Sequence, residues 1–266
     1  MLTSIDEVNR SEMNKRGSVA HYSRRDDLSA AEQAALSTVG TQAKEQAILD
    51  IGVGGGRTTR ALREISADYL GVDNSAPMIS ACRLRFPDAR FELMDARAMV
   101  PLTNDSVFLA MFSCNGIGMV SPADRLLILR EVFRVLQPGG VFLFSTHNQN
   151  SPDHQAGFRW PEFEISRNPA RLLVRMARFG RQVPLRWLRR RQMRALEVRT
   201  SDYSVINDAC HDYGVMLYYI GLRQQREQLQ SIGFEAQARA FDLQGREIMD
   251  DTSDNSIMLV ARKPTA

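Results

Sequence analysis

The chain has 266 residues, 44% of them hydrophobic, and a formal charge of only +3, enough to bury one large α/β domain with or without a substantial insertion. Its apolar runs are too short to cross a membrane, and the first twenty residues lack the apolar stretch that export requires, so a cytoplasmic protein is expected. Three cysteines without paired spacing, Cys82, Cys114 and Cys210, argue against a disulfide framework and a cysteine zinc site, and no metal is expected.

Residues 1–45 read as a polar, helical lead-in with a helix near Ser29 to Ser37. Ala47 to Ile51 is then a short apolar run ending in glycines, the pattern of a buried parallel strand feeding a tight turn. Ala61, Leu62 and Ile65 have helical spacing, and Tyr69 to Val72 reads as a strand. The unit repeats through a helix at Pro77 to Phe86 and strands at Phe91 to Met94 and Val107 to Phe112. Leu126, Leu129, Phe133 and Leu136 share a helical face that Pro138-Gly139-Gly140 stops, and Val141 to Ser145 is a further strand. Such alternation specifies a doubly wound α/β fold with a parallel sheet and right-handed crossovers. From 147 to 220 the alternation breaks, with strand patterns only at Tyr203 to Ile206 and Val215 to Ile220. It resumes with a helix at Gln224 to Ile232 and strands at Phe234 to Phe241 and Ser256 to Ala261. The break lies after the carboxyl end of a central strand, where open α/β sheets hold ligands, so it reads as an insertion covering the substrate side of a single domain spanning 1–266.

Gly52-Val53-Gly54-Gly55-Gly56-Arg57 carries G-x-G-x-G at a strand-to-helix turn, where glycine lets the backbone approach a ligand and adopt positive φ. A dinucleotide fingerprint needs Gly or Ala where Arg57 stands, so a nucleoside without pyrophosphate suits the loop better than NAD. Nineteen residues past Gly54, at the end of the second strand, Asp73 is placed to accept both ribose hydroxyls, while Asn74 or Ser75 caps the next helix.

In these elements the chain resembles the class I S-adenosylmethionine-dependent methyltransferases, well over 46–146 and more weakly over 222–262. The resemblance implies a mostly parallel seven-stranded sheet with an antiparallel last strand, and S-adenosylmethionine as cofactor. It puts Gly52 and Gly54 against the methionine moiety, Asp73 on the ribose and Met78 on the adenine. Asp95 would meet the adenine amino group, the Ala96 amide a ring nitrogen, and the backbone at Ser113 the methionine amino group. Asp50, Val53 and Asn74 are counted with these contacts, and Tyr22 resembles the aromatic residue that closes over the cofactor. Val53 stands where cysteine is common, and Val107-Phe108 where Phe-Asp is.

Methyl transfer needs chiefly that the acceptor be held in line with the methyl group. A hydroxyl or ammonium acceptor also needs a base, for which His147 and His211 are candidates. Asn-Pro-Pro-Tyr is absent after the fourth strand, where Ser113-Cys114-Asn115-Gly116 stands, and there is no Pro-Cys nucleophile. Nucleic-acid bases are therefore disfavoured, and a small molecule such as a sugar or secondary metabolite is the expected acceptor. Residues 167–199 hold eleven arginines and one acid, so they outweigh the chain's whole net charge. Leu172, Leu173, Met176 and Phe179 share one face of a helix there, which reads as an apolar stripe packed on the core under a solvated cationic face. An arginine-rich lid over an anionic acceptor and peripheral contact with an anionic membrane are the other readings. Beside small-molecule methyl transfer stand two alternatives: a non-catalytic nucleoside-binding module that engages a partner through this basic segment, and a methyltransferase acting on a lipid-linked or membrane-surface substrate.

Overall fold

The computed structural model describes residues 4–155 and 157–265; the readings that include 1–3, 156 and 266 lie outside the described residues there. Among the described residues four helices precede the sheet: α1 (Ile5–Met13), α2 (Arg16–Tyr22), α3 (Ala30–Ser37) and α4 (Gly40–Ala43). Capping boxes start α1 and α3. The Ser29 hydroxyl accepts from the Glu32 amide at 3.2 Å, and the Glu32 carboxylate accepts from the Ser29 amide at 2.7 Å.

The alternating core then runs β1 (Ile48–Ile51), α5 (Thr59–Ile65), β2 (Tyr69–Asp73), α6 (Ala76–Arg85), β3 (Arg90–Leu93), β4 (Val107–Phe112), α7 (Pro122–Val135) and β5 (Leu136–Asn148). All four residues of β1 are buried, as a strand covered on both faces requires. Ser75, rather than Asn74, caps α6, its hydroxyl accepting from the Met78 amide. After α8 (Pro152–Gln155) and the long α9 (Pro169–Met193) come β6 (Val198–Arg199), β7 (Tyr203–Asp208) and β8 (Val215–Ile220). The chain closes with α10 (Leu222–Ile232), β9 (Arg239–Phe241), β10 (Glu247–Ile248) and β11 (Ser256–Arg262).

The main path of the sheet is β10-β9-β11-β5-β4-β1-β2-β3. Strands β3, β2, β1, β4 and β5 are mutually parallel, and β11 runs antiparallel to both β5 and β9. Without the short β10 hairpin strand, this is the seven-stranded, mostly parallel sheet with an antiparallel last strand that was expected. Its two faces carry separate cores. One includes Leu129, Val132 and Val135 of α7, the other Leu62 of α5 with Ala35 and Leu36 of α3. Leu129 is fully buried, and truncation to alanine there should cost about 2–5 kcal/mol.

Two expectations are corrected. The strand expected at Phe234 to Phe241 is only Arg239–Phe241, because Phe234 packs edge-on against Phe133 at 5.1 Å instead of entering the ladder. The insertion is not only a cover. Its second half, β6–β7–β8, is an antiparallel meander joined to the same sheet, which makes eleven strands among the described residues. The last pair of β4 with β5 is Phe112 with Phe144. β5 runs on, and His147 and Asn148 pair with Tyr219 and Ile220 of β8. Arg125 of α7, fully buried, bonds the Gln225 side chain and the Ile117 carbonyl and lies 4.6 Å from the centre of the Tyr218 ring. Burial lowers its pKa to about 10.

Candidate functional site

Beyond the carboxyl ends of β1, β2 and β4 lies a cleft whose floor is the glycine turn. Gly52 has φ +61°, and a Cβ there would sit 2.4 Å from the Phe112 ring, so neither conformation nor space admits a side chain. A Cβ on Gly55 would meet the Ser23 amide nitrogen at 2.4 Å, because the end of α2 packs directly on the turn. The Gly54 amide donates to Asp73 Oδ2 at 2.9 Å and the Ser75 amide to Oδ1 at 2.8 Å, which fixes the carboxylate at the tip of β2. Burial raises the pKa of Asp73, and the amides of Gly54, Ser75 and Asn74 oppose that rise.

Tyr22, Gly52, Val53, Gly54, Asp73, Asn74, Met78, Asp95, Ala96 and Ser113 all line this cleft. Asp50 does not. It is buried beneath the turn, where one carboxylate oxygen accepts from Thr58 Oγ1 at 2.6 Å and from the Tyr69 hydroxyl at 2.8 Å. Burial pushes its pKa up to about 6, against the pull of those two hydroxyls. Asp95 lines the cleft but is gripped by Arg97, whose Nη2 lies 2.6 Å from Oδ2, and Arg97 Nη1 is also 3.3 Å from Asp124.

Sequence reasoning missed two parts of this wall. From α1, Asp6, Asn9, Arg10 and Met13 close one side. Asn9 anchors the helix by donating to the Met119 and Met216 carbonyls and accepting from the Met216 amide. Arg57 is held bidentately by Glu32, and both reach the Ser113 hydroxyl. Burial alone would raise the pKa of Glu32, but the hydrogen bonds and charge of Arg57 hold it below the ordinary carboxylate range. The Ser-x-x-Glu boxes at Ser4 and Ser29 are the local signals that announce these helices.

A second, more polar cavity of about 720 Å³ opens under α9. Its walls include Asn115, His147, Asp153, Arg159, Asp208 and Tyr219 from the sheet side, and Arg175, Arg178 and Arg186 from α9. His147 packs at a tilt against Tyr219, 4.9 Å between ring centres, and lies 3.4 Å from the Asn115 side-chain amide. Burial lowers its pKa to about 4, so it is neutral near pH 7. His211 lines neither cavity. It sits in the β7–β8 turn, where His211, Asp212 and Tyr213 all have positive φ, and its Nε2 is 3.3 Å from the Tyr22 hydroxyl. Both tyrosines of β8 are buried, but only Tyr219 lines the chamber, with its hydroxyl on Asp208 at 2.9 Å, whereas Tyr218 packs on Arg125. Between the cavities runs the turn after β4, with left-handed φ at both Cys114 and Asn115.

Residues 48–140 match a family model described as a methyltransferase domain. The chain is similar to a trans-aconitate 2-methyltransferase of Variovorax paradoxus, at 32% identity over 111 residues covering 41% of each chain. It is also similar to a malonyl-[acyl-carrier protein] O-methyltransferase of Salmonella typhimurium, at 32% over 117 residues covering 44% of this chain and 45% of that protein. It thus spans between about two-fifths and one-half of the length of the curated relatives it matches. Among solved structures, the Burkholderia thailandensis 1,6-didemethyltoxoflavin-N1-methyltransferase, with bound 1,6-didemethyltoxoflavin and S-adenosylhomocysteine, shares the fold. The TM-score is 0.59 at 15% identity, covering 99% of this chain and 92% of that one. The matched stretch runs from β1 to the start of β5, so this part of the chain is similar to a methyltransferase domain, and the sheet in which it lies has the fold of the solved methyltransferase.

Proposed function

We propose that this chain transfers a methyl group from S-adenosylmethionine to an oxygen or nitrogen of a small molecule held in the chamber under α9. One observation carries the reading: the turn after β4 presents Ser113, Cys114 and Gly116 to the glycine-floored cleft and Asn115 to the chamber, so the two cavities share a wall one residue thick.

The cleft fits the cofactor in its chemistry. Bare glycine backbone suits an amino-acid tail, the Asp73 carboxylate suits vicinal hydroxyls, and the thioethers of Met78 and Met94 suit a purine face. When bound, S-adenosylmethionine supplies an electrophilic methyl on its sulfonium. The chain's own part is to position the acceptor and keep water out, with proximity and orientation worth up to ~7–11 kcal/mol. His147, neutral and facing the chamber, can accept a proton from an acceptor hydroxyl or ammonium, and the Asn115 amide and the Tyr219 ring hold its orientation. The chamber's mix of arginines and acids supports a polar acceptor of sugar or metabolite size, in keeping with the trans-aconitate named for a relative.

The test has two stages. Calorimetry with S-adenosylhomocysteine is expected to show binding, and silence at millimolar ligand removes the assignment. Incubation with labelled donor and a metabolite fraction is then expected to yield a product heavier by one methyl group. Binding without turnover would leave the nucleoside-binding module instead.

A further inference from the structure

Helix α9 is amphipathic with its faces reversed. Arginines of its second half turn inward: Arg186 pairs with Asp212 at 2.7 Å, the Arg189 guanidinium donates to the His211 carbonyl at 2.7 Å, and Arg190 bonds the Asn207 carbonyl at 2.8 Å. Leu172 and Phe179 are half-buried, but other apolar side chains turn outward. Leu173 is 67% exposed, Val174 69%, Met176 54%, Trp187 55% and Leu188 47%, with Ile165 just before the helix at 85%. No residue of the helix is buried. Steps of 100° per residue bring Leu173, Met176, Gly180 and Trp187 onto one strip running along the helix. Arg181 and Arg191 are exposed beside this strip, the Arg191 guanidinium lies 5.5 Å from the centre of the Trp187 ring, and there is no acid between residues 165 and 196.

We propose that the outer face of α9 docks on an anionic lipid surface. The charge pattern selects this occupant. A second copy would set one arginine row against another with no carboxylate in the strip to answer it. An anionic bilayer answers both features at once, taking Leu173, Met176 and Trp187 into the boundary below the headgroups and leaving the arginines among the phosphates. The helix lies on the surface and does not cross it, since none of the described helices is long and apolar enough to span a membrane. This inference is independent of methyl transfer.

The test uses the whole chain with vesicles of phosphatidylcholine alone and of phosphatidylcholine with about one-third phosphatidylglycerol, at low salt. Co-sedimentation with the anionic vesicles only, together with a blue shift of tryptophan emission, is expected. Leu173→Asp with Trp187→Asp, and separately Arg181→Glu with Arg191→Glu, should each weaken binding at least about tenfold. Because these side chains make no core contacts, the thermal midpoints should stay at the parent value. Should an aspartate pair fail to fold, Trp187→Ala is the milder arm and should still abolish the blue shift. The proposal is overturned by any of three results: no sedimentation of the parent chain with anionic vesicles, equal sedimentation of parent and variants, or a dimer without vesicle affinity that the aspartate pair splits. Capture of an acidic protein in place of vesicles would likewise overturn it.

Discussion

Most of the floor of the glycine-turn cleft comes from one stretch of chain, Ile51 to Arg97, in which strand ends and the turns that follow them supply nearly every contact. The chamber beside it is assembled from the β4 turn, the end of β5, α9, the β7–β8 turn and the start of β11, segments separated by up to 141 residues. The first is held by backbone: Gly54 and Ser75 amides on Asp73, and glycines packed to contact. The second is held by side chains, above all Arg186 and Arg189 on the β7–β8 turn. A site written in consecutive residues keeps its geometry when the rest of the chain changes. One built by convergence can be remodelled without disturbing its neighbour, which suits a constant donor and a variable acceptor.

The largest effect should separate the two regions most cleanly. Asp73→Ala removes the carboxylate proposed to meet the ribose hydroxyls, and charge-assisted hydrogen bonds are worth ~1.5–3 kcal/mol each. S-adenosylhomocysteine affinity should fall by about tenfold to a hundredfold by calorimetry, with no change in chamber-side contacts. Unchanged affinity would remove Asp73 from the site.

A second break concerns what supports the cleft. The folded pKa of Asp50, about 6, is raised from 3.8, so the fold prefers the protonated form. Its contribution to stability is therefore complete below pH 4 and is lost as pH rises through 6. Asp50→Asn keeps an acceptor for Thr58 and Tyr69 but cannot ionise. Its stability advantage over the parent should grow by about 2 kcal/mol between pH 4.5 and 7.5, read from urea midpoints. A constant difference across that range would mean that the buried carboxylate is ionised throughout.

The same contrast explains what the sequence disclosed. The alternation from Ala47 to Ser145 was legible because apolar runs, Ser75 as a cap and the glycine turn are local signals, and ten of the proposed cofactor contacts line one cleft. Asp50 was misjudged because its neighbours in sequence line the cleft, whereas its own side chain points down to Tyr69. In the insertion, strands at Tyr203 and Val215 were visible but their junction with β5 was not, since pairing of His147 with Tyr219 leaves no local mark. The helix read at Pro169 to Phe179 continues through Pro184 to Met193. Its stripe was expected against the core, yet Leu173 and Met176 face solvent while Leu172 and Phe179 are half-buried. Helical spacing gives a stripe; it cannot say which side of the helix the body of the protein lies on.

On the chamber side, Arg186→Ala frees α9 from Asp212 while leaving the cleft untouched. The pair is partly buried, so the loss is on the order of 1 kcal/mol. Once an acceptor is known, its KM should rise about fivefold with S-adenosylhomocysteine affinity unchanged. An equal loss in both constants would show that α9 braces the cleft as well.

Tyr22 is the joint between the two regions, because it lines the cleft while its hydroxyl lies 3.3 Å from His211 in the β7–β8 turn. Burial pushes its pKa up to about 12, so the neutral phenol persists through the working pH range. Tyr22→Phe keeps the ring and removes one neutral hydrogen bond, worth about 0.5–1.5 kcal/mol. If the joint only closes the cleft, S-adenosylhomocysteine affinity should drop by about threefold and His211→Ala should have the same effect, with the double substitution adding nothing. Additive losses would mean that Tyr22 and His211 act separately, and that the cleft and the chamber are coupled through the β4 turn alone.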